Sequence, residues 1–480
     1  MINQEYDKRI LAWISENKER MVSMWLDLVR IPSVESGPAP GAPFGIPCAQ
    51  ALKKAADYAQ QVGLQTRLEA ERGYSLAWYG QSSKTIGLFG HSDVVPAGDG
   101  WLYTEPFEPI IKDGIAIGRG CGDNKSGVMA SLFAAQIIKE CQLPIKSRLQ
   151  LFVGSNEESG MADIQAFAAN ETMPDLCLVP DARYPCSLGE KGILRQWTKC
   201  NAPMEDILDF KGGCAFNVVL DYVEVTLKYT AERMAELALM VSGNPAYTVA
   251  QAADGTILLT ATGASKHAAS PEGSVNATVL AAKLLAECAT ISDTDRAQMK
   301  TIVDFLEDYY GGGLGISFEE EGFGKLSCAN GMVKVEDGHL CISLDIRYGT
   351  GMDPKKLETL LDAAWDKAGW LLTYRVNEPG FKVDSSSPIP GLLTQVAQEV
   401  TGADFQPYWM SGGTYSRYLK NAYTVGASAV DASSTAVVPE MPAGHGGAHQ
   451  RDEYCVVDEF LQGVRLLTHC ILACDQVLNA

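Results

Sequence analysis

Residues 85–93 read TIGLFGHSD, an apolar run that ends in a histidine and an aspartate two positions apart. Similar apolar runs occur at residues 149–153 and 176–179, and helical patterns at residues 125–140 and 163–170 lie between the runs. An alternation of strand and helix patterns is typical of an α/β sheet, in which ligands bind beyond the carboxyl ends of the strands. The residues that follow each predicted strand are therefore the first candidates for function.

Histidine and acidic side chains occupy these positions. His91 ends the first run, Asp123 precedes the first helical pattern, Glu157 and Glu158 follow the second run, and Asp181 follows the third. Each alone is also explained as a helix cap, a solvated acidic pair or a turn residue. Four successive segments with imidazole or carboxylate groups and no thiolate favour a zinc, cobalt or manganese site instead. Several carboxylates could hold two ions that share an oxygen.

The composition restricts the class of protein. Its 480 residues exceed the length at which one core stops growing, so at least two domains are expected. A net charge of -20 disfavours nucleic acids and anionic membranes as partners. Thirteen scattered cysteines without a C-x-x-C pair argue against a disulfide framework. Because residues 1–21 are too heavily charged for the apolar core of a signal peptide and no apolar stretch reaches the roughly 20 residues of a membrane span, we expect a cytoplasmic protein.

The pattern along the chain changes near residue 189. From there to residue 383, mixed strand-like runs, helix candidates and glycine-rich loops replace the regular alternation. We therefore predict an α/β catalytic domain, with a mixed sheet flanked by helices, that is formed by residues 1–188 and 384–480. An α+β lid domain at residues 189–383 is expected to interrupt it.

Several short motifs carry a resemblance to a known family. They are GHSDVVP (90–96), GW (100–101), PFEP (106–109), GRG (118–120) and DNK (123–125). The sequence resembles the cocatalytic di-zinc metallopeptidases that include aminoacylase, glutamate carboxypeptidase, succinyl-diaminopimelate desuccinylase and bacterial dipeptidases. It is most similar to the dipeptidase V branch, and the resemblance covers nearly the whole chain.

The resemblance implies two divalent metal ions, most simply zinc, with manganese or cobalt as alternatives. His91, Asp123 and Asp181 would bind one ion. Asp123, Glu158 and a late histidine would bind the other. Asp93 would orient His91 and raise its basicity, which is the usual role of a carboxylate beside a ligating imidazole.

The late histidine has two candidates, His445 and His449. The family's last ligand usually stands in a His-Gln or similar pair, followed by an acidic residue shortly before the final helix. His449 fits this description, and His445 is then a loop or pocket residue. His339 and His469 match no motif and are expected to be structural or surface residues.

Glu157 would act as the general base of the reaction. By the resemblance, it would take a proton from a water that bridges the two metals and later hand it to the leaving amine. The peptide bond after the bridging aspartate is typically cis in this family. We therefore expect a cis bond between Asp123 and Asn124.

Three of the remaining site residues implied by the resemblance lie in the predicted lid domain. His267 would stabilise the oxyanion of the tetrahedral intermediate, and Asn217 would add a hydrogen bond near it. Arg347 would bind the C-terminal carboxylate of the substrate, although a surface arginine on a strand is the alternative. A backbone cradle for the substrate would be formed by Gly412, Gly413 and Thr414. Because the predicted lid is nearly twice the usual size, His267 would act within its own chain, and a monomer is expected without excluding a dimer.

The resemblance implies a metal-dependent dipeptidase that hydrolyses short peptides. The enzymatic alternative is an N-acyl-amino-acid amidohydrolase of the deacylase or desuccinylase type with the same two metals, and a third interpretation is a non-catalytic binding protein on this fold. Asn124 and Ser126 stand where dipeptidase V proteins more often carry Asp and Gly. Residues 431–447 lack the Phe-Pro-Gly run expected before the last ligand. These departures leave the metal preference and the substrate specificity open.

Overall fold

The computed structural model describes residues 2–430, 440–442 and 444–480. The helices are α1 Gln4–Val29, α2 Ile46–Gln61, α3 Lys125–Glu140, α4 Ala162–Asn170, α5 Ala231–Met240, α6 Ala277–Glu287, α7 Asp293–Leu306, α8 Pro354–Ala368, α9 Ile389–Thr401 and α10 Val457–Leu478. The strands are β1 Gln65–Glu69, β2 Tyr74–Tyr79, β3 Thr85–His91, β4 Ile110–Lys112, β5 Ile115–Ile117, β6 Arg148–Gly154, β7 Leu176–Ala182, β8 Ser187–Glu190, β9 Gly192–Cys200, β10 Ile207–Lys211, β11 Tyr222–Leu227, β12 Tyr247–Gln251, β13 Ile257–Thr262, β14 Glu319–Glu320, β15 Gly324–Lys325, β16 Ser327–Ala329, β17 Val333–Glu336, β18 His339–Tyr348, β19 Trp370–Glu378, β20 Phe381–Lys382, β21 Tyr408–Met410, β22 Ala422–Gly426 and β23 Tyr454–Val456.

The chain forms two compact units. The first unit consists of Met1–Leu188, Val383–Tyr408 and Thr414–Ala480, and the second of Gly189–Lys382 and Trp409–Gly413. Each unit has its own hydrophobic core. The predicted fold class, an α/β protein interrupted by an α+β portion, is confirmed. The roles of catalytic domain and lid domain stay predictions.

The first unit is built on a six-stranded mixed sheet of order β1-β2-β6-β3-β7-β22. Strand β3 pairs in parallel with β6 and with β7, whereas β2 pairs antiparallel with β1 and β6. His91 at the end of β3 lies opposite Gly154 at the end of β6. The carboxyl ends of the parallel strands therefore meet at one edge of the sheet, where ligands bind in α/β folds.

Helix α3 is buried on nearly all sides because it packs against β3, α1 and α10. Its apolar residues accordingly surround the whole helix, which is typical of a core helix. Trp25 of α1 stacks on Phe460 of α10, with ring centroids 4.4 Å apart. A Cβ atom at Gly127 would lie 2.1 Å from the carbonyl oxygen of Pro180. Only glycine therefore lets the start of α3 approach the end of β7 so closely.

The second unit contains two larger sheets. In one, β9 lies between β18 and β19, and β16 and β17 both pair with β18. The other has the order β10-β11-β13-β12. Helix α6 packs against α7 and against β11 and β13. Within the described ranges, no helix is both long enough and apolar enough to cross a membrane.

Candidate metal centre

One carboxylate in the first unit faces two imidazoles. The Oδ1 atom of Asp123 lies 3.3 Å from Nε2 of His91. Its Oδ2 atom lies 3.1 Å from Nε2 of His449. The two oxygens of Asp123 are thus directed at two different histidines, which is the arrangement expected of a ligand that bridges two metal ions.

Three further carboxylates complete the cluster. Oδ1 of Asp181 lies 3.6 Å from Nε2 of His91, and Oε2 of Glu158 lies 3.1 Å from Nε2 of His449. Oε2 of Glu157 lies 3.9 Å from the same nitrogen of His91. The structure therefore brings together the five predicted ligands and the predicted general base. The late histidine that it places in the cluster is His449.

These separations fit divalent cations. Bonds of about 2.0–2.1 Å to a tetrahedral ion place two ligand atoms about 3.3 Å apart. The distances from Nε2 of His91 and Nε2 of His449 to the carboxylates of the proposed ligands lie between 3.1 and 3.6 Å. In the described part of the chain, Oε1 of Glu157 and Oε1 of Glu158 are buried without a hydrogen-bond partner. Because a buried carboxylate oxygen without a partner is costly, both observations favour cations at this position.

Burial and mutual proximity raise the pKa values of three carboxylates in the cluster. Burial raises the pKa of Glu158 to about 7, and the charge of Asp123 adds to the increase. Burial also raises the pKa of Asp181 to about 6, although His91 opposes it. The pKa of Glu157 is well above its usual range, first because of burial. Carboxylates held this close repel one another, and a divalent cation removes that repulsion.

Asp93 contacts two members of the cluster. Nδ1 of His91 lies 3.0 Å from the backbone oxygen of Asp93 and 3.4 Å from its carboxylate Oδ1. When Nδ1 carries the proton, the imidazole presents Nε2 toward Asp123 as a ligand atom. The other carboxylate oxygen of Asp93 accepts a hydrogen bond from the N–H of Glu158 at 3.0 Å. Asp93 therefore lies where it can orient His91, and it also fixes the loop of Glu158.

Asp123 is not the cap of helix α3, which was one interpretation of its place in the sequence. The helix begins at Lys125, and Asn124 occupies the N-cap without a cap hydrogen bond from its side chain. The bond between Asp123 and Asn124 is cis, as expected. Nδ2 of Asn124 donates to the oxygen of Pro180 at 2.6 Å, and its Oδ1 accepts from the N–H of His91 at 3.3 Å. Asn124 thus connects α3 to the ends of β3 and β7, and Asp123 is left for the cluster.

In the second unit, the structure brings Asn217 and His267 together. Val218 forms an antiparallel bridge with His267, and the N–H of Ala268 donates to the oxygen of Asn217 at 2.9 Å. Nδ1 of the exposed His267 accepts a hydrogen bond from the N–H of Ala269 at 3.1 Å. A neutral imidazole that accepts at Nδ1 carries its proton on Nε2. His267 is therefore a hydrogen-bond donor at Nε2.

Arg347 is buried and held by its neighbours in the second unit. Nε and Nη2 both donate to the carboxylate of Asp345, the latter at 3.0 Å, and Nη1 donates to the oxygen of Ser411 at 3.1 Å. This carboxylate holds the guanidinium plane in one orientation. Ser411 immediately precedes Gly412 and Gly413, so the structure places two predicted cradle residues beside Arg347. Thr414, the third, belongs to the first unit, where its hydroxyl accepts from the N–H of Ser416 at 3.2 Å.

Comparison with protein families decides the identity of the fold. The model of the family described as Peptidase family M20/M25/M40 matches residues 87–473. The chain belongs to this M20 peptidase family. The curated “Putative dipeptidase YtjP” of Bacillus subtilis is 27% identical over 471 residues, which are 95% of this chain and 98% of that protein.

Solved structures show the same M20 fold. Human carnosine dipeptidase 1 matches with a TM-score of 0.59 at 15% identity, over 98% of this chain and 100% of that one. A metallo-carboxypeptidase of the M20 family from Sulfolobus solfataricus matches with a TM-score of 0.58 at 15% identity, over 95% and 99% of the two chains. The recognised family is confirmed, and the chain is a metallopeptidase. Its place in the dipeptidase V branch stays a prediction.

Glu453 supports this M20 site, and the sequence analysis did not identify it. Its Oε1 accepts hydrogen bonds from the N–H groups of Gly122 and Asp123, and its Oε2 accepts from Arg119 and the N–H of Gly120, at 2.7–3.1 Å. Glu453 is buried and lies four positions after His449. It therefore joins the loops of His449 and of Asp123. Its place among the acidic residues that follow the last histidine is the sequence feature from which its role could have been predicted.

Replacing Glu453 by glutamine is expected to weaken metal binding about 10- to 100-fold, because an amide N–H would face backbone N–H groups and disturb the loop of Asp123. It should also lower the free energy of unfolding by about 3 kcal/mol, since the buried Arg119 loses its charged partner. Zinc competition titrations and thermal unfolding measure the two effects. A Glu459→Gln variant, which changes another glutamate nearby in the sequence, is the matched control. Metal affinity equal to that of this control would contradict the positioning role.

The other histidines make different contacts. Nδ1 of His445 contacts the carboxylate of Asp452, which also accepts hydrogen bonds from the N–H groups of Leu102 and Tyr103. His339 contacts the oxygen of Cys200 at 2.9 Å, and His469 contacts Asp7 at 2.9 Å. Residues 431–447 lack the Phe-Pro-Gly run expected before the last ligand. Most of this segment, residues 431–439 and 443, lies outside the described residues.

Proposed function

We propose that this M20 metallopeptidase is a dipeptidase that uses two divalent ions, most simply zinc. The observation that carries the proposal is the Asp123 carboxylate, whose oxygens lie 3.3 and 3.1 Å from the two histidines. One ion would be held by His91, Asp123 and Asp181, and the other by Asp123, Glu158 and His449. Such ions, when bound, polarise a scissile carbonyl and lower the pKa of a water molecule.

Glu157 is the proposed proton carrier of the reaction. Its Oε2 lies 3.9 Å from Nε2 of His91, and its Oε1 is buried without a hydrogen-bond partner in the described ranges. A carboxylate at this place takes a proton from the attacking water and returns it to the leaving amine. Because it is not one of the five proposed ligands, its two oxygens stay available for this transfer.

The second unit supplies the proposed groups that recognise charge on the substrate. His267, protonated at Nε2, and Asn217 on the adjacent segment are donors for the oxyanion that forms at the attacked carbonyl. Arg347 is the proposed partner of the substrate carboxylate. Within the described residues, its contacts with Asp345 and Ser411 use three of its five N–H groups, and the other two are proposed to bind a carboxylate. The backbone of Gly412, Gly413 and Thr414 is proposed to line the bound peptide.

Hydrolysis of matched substrates tests the proposal. Alanyl-alanine carries a free, charged amino group, whereas its N-acetylated form carries a neutral acetamide in its place. We expect the zinc-loaded enzyme to cleave the free dipeptide at least about 100-fold more efficiently in kcat/KM, which corresponds to about 2.7 kcal/mol. A preference for the acetylated form would instead identify an N-acyl-amino-acid amidohydrolase with the same metal centre.

A further inference from the structure

A cavity of about 410 Å³ lies in the first unit beside the metal centre. Two of its lining residues immediately follow site residues, since Val94 follows Asp93 and Ser159 follows Glu158. The cavity is also lined by Val34, Glu35, Ser36 and Pro96. The cavity therefore adjoins the two segments that carry Asp93 and Glu158.

The segment that carries Glu35 is fixed on both sides. Before it, the hydroxyl of the buried Ser33 donates to the oxygen of Ser92 at 2.6 Å, and the N–H of Val94 donates to the oxygen of Ser33 at 3.0 Å. After it, the N–H of Ser36 donates to the oxygen of Phe44 at 3.1 Å. Glu35 thus occupies a defined place beside the strand end that carries the site.

Among the described residues that line the cavity, Glu35 alone is ionisable. It is exposed, and in the described part of the chain no hydrogen bond or ion pair engages its carboxylate. The other lining residues that the structure describes are apolar or hydroxylic, and none of them is a lysine or an arginine. A cavity with one unpaired negative charge favours a cationic group and disfavours an anionic one.

We infer that this cavity accepts an alkylammonium group of the substrate, with Glu35 as its counter-ion. The inference rests on the proposed dipeptidase function and refines it. The ammonium has two possible sources in a dipeptide, the α-amino group and a basic side chain of the first residue. In both cases Glu35 determines specificity without taking part in the chemical step.

A Glu35→Gln variant tests the inference because glutamine keeps the shape of the side chain and removes its charge. Glu16→Gln is the matched control, since Glu16 is an exposed glutamate on α1 and its replacement removes the same charge. Both variants and the wild type are assayed with lysyl-alanine and norleucyl-alanine, which differ in the side-chain charge. We expect Glu35→Gln to raise KM about 5- to 10-fold with kcat changed less than about twofold, as for the loss of one partly exposed ion pair.

The two substrates separate the sources of the ammonium. An increase in KM for both identifies the α-amino group, and an increase for lysyl-alanine alone identifies the side chain. In either case, the KM of Glu35→Gln divided by the KM of the wild type, measured with the affected substrate, should fall toward one as the salt concentration rises from about 0.05 to about 0.5 M. Salt screens an exposed ion pair and so removes the advantage of the wild type.

Two outcomes overturn the inference in distinguishable ways. If the wild type cleaves both dipeptides and Glu35→Gln matches Glu16→Gln in KM for both, Glu35 is not the counter-ion and the proposed function stands. If the zinc-loaded wild type cleaves neither dipeptide, the proposed function fails and the inference fails with it.

Discussion

A Glu157→Gln enzyme is expected to lose about 1,000- to 10,000-fold in kcat while it keeps its metal ions. Glutamine cannot accept a proton, so both the deprotonation of water and the protonation of the leaving amine lose their carrier. Glu157 is buried beside the cluster, at 3.9 Å from Nε2 of His91, without being a proposed ligand. Steady-state hydrolysis of alanyl-alanine and metal analysis of the same sample measure the two properties.

The neighbouring carboxylate is the matched control for this prediction. Glu158 is equally buried, but its Oε2 lies 3.1 Å from Nε2 of His449. Glu158→Gln should therefore weaken the binding of one ion, whereas Glu157→Gln should not. More than about a tenth of wild-type kcat in the Glu157→Gln enzyme would rule out the proton-transfer role.

An Asp123→Ala substitution is expected to weaken the binding of both proposed metal ions by at least about 100-fold, because the loss of a supporting contact alone weakens metal binding by about 10- to 100-fold and Asp123 is a proposed ligand of both. The reason is geometrical, since each oxygen of this carboxylate faces a different histidine. His449→Ala should weaken only one ion. Equilibrium dialysis against zinc, followed by elemental analysis, gives the stoichiometry of each variant.

The loop of the last ligand offers a second histidine as a control. His445 contacts Asp452, and its replacement by alanine should leave two ions bound. If Asp123→Ala retained one tightly bound ion, the bridging role would be wrong. If His445→Ala lost an ion and His449→Ala did not, His445 and not His449 would be the metal ligand.

The sequence predicted the first unit well because its strands and helices repeat a regular pattern. Helix α3 begins and ends at the predicted residues 125–140, and β3 contains the predicted apolar run and ends at His91. The metal cluster was predictable for a related reason. Parallel strands that end at one sheet edge bring their following residues together, so His91, Glu158 and Asp181 converge from distant parts of the chain.

The supporting contacts could not be predicted from the same patterns. Glu453 acts through backbone N–H groups of a loop more than 300 positions earlier, and no local spacing encodes that contact. The sequence offered Asp123 as a possible helix cap, but Asn124 occupies the N-cap position and its side chain binds Pro180 and His91. Such contacts depend on how two segments meet in three dimensions. The sequence provides residue types, while the packing decides the partners.

The division of the first unit between both ends of the chain determines when its metal centre can be assembled. His91, Asp123, Glu158 and Asp181 precede the second unit in the sequence, whereas His449 and Glu453 follow it. During synthesis, four of the five proposed ligands therefore precede the fifth by more than 260 positions in the chain. The second unit, which has its own core, can fold in that interval. If the proposed function holds, both metal positions can be filled only after His449 has been synthesised.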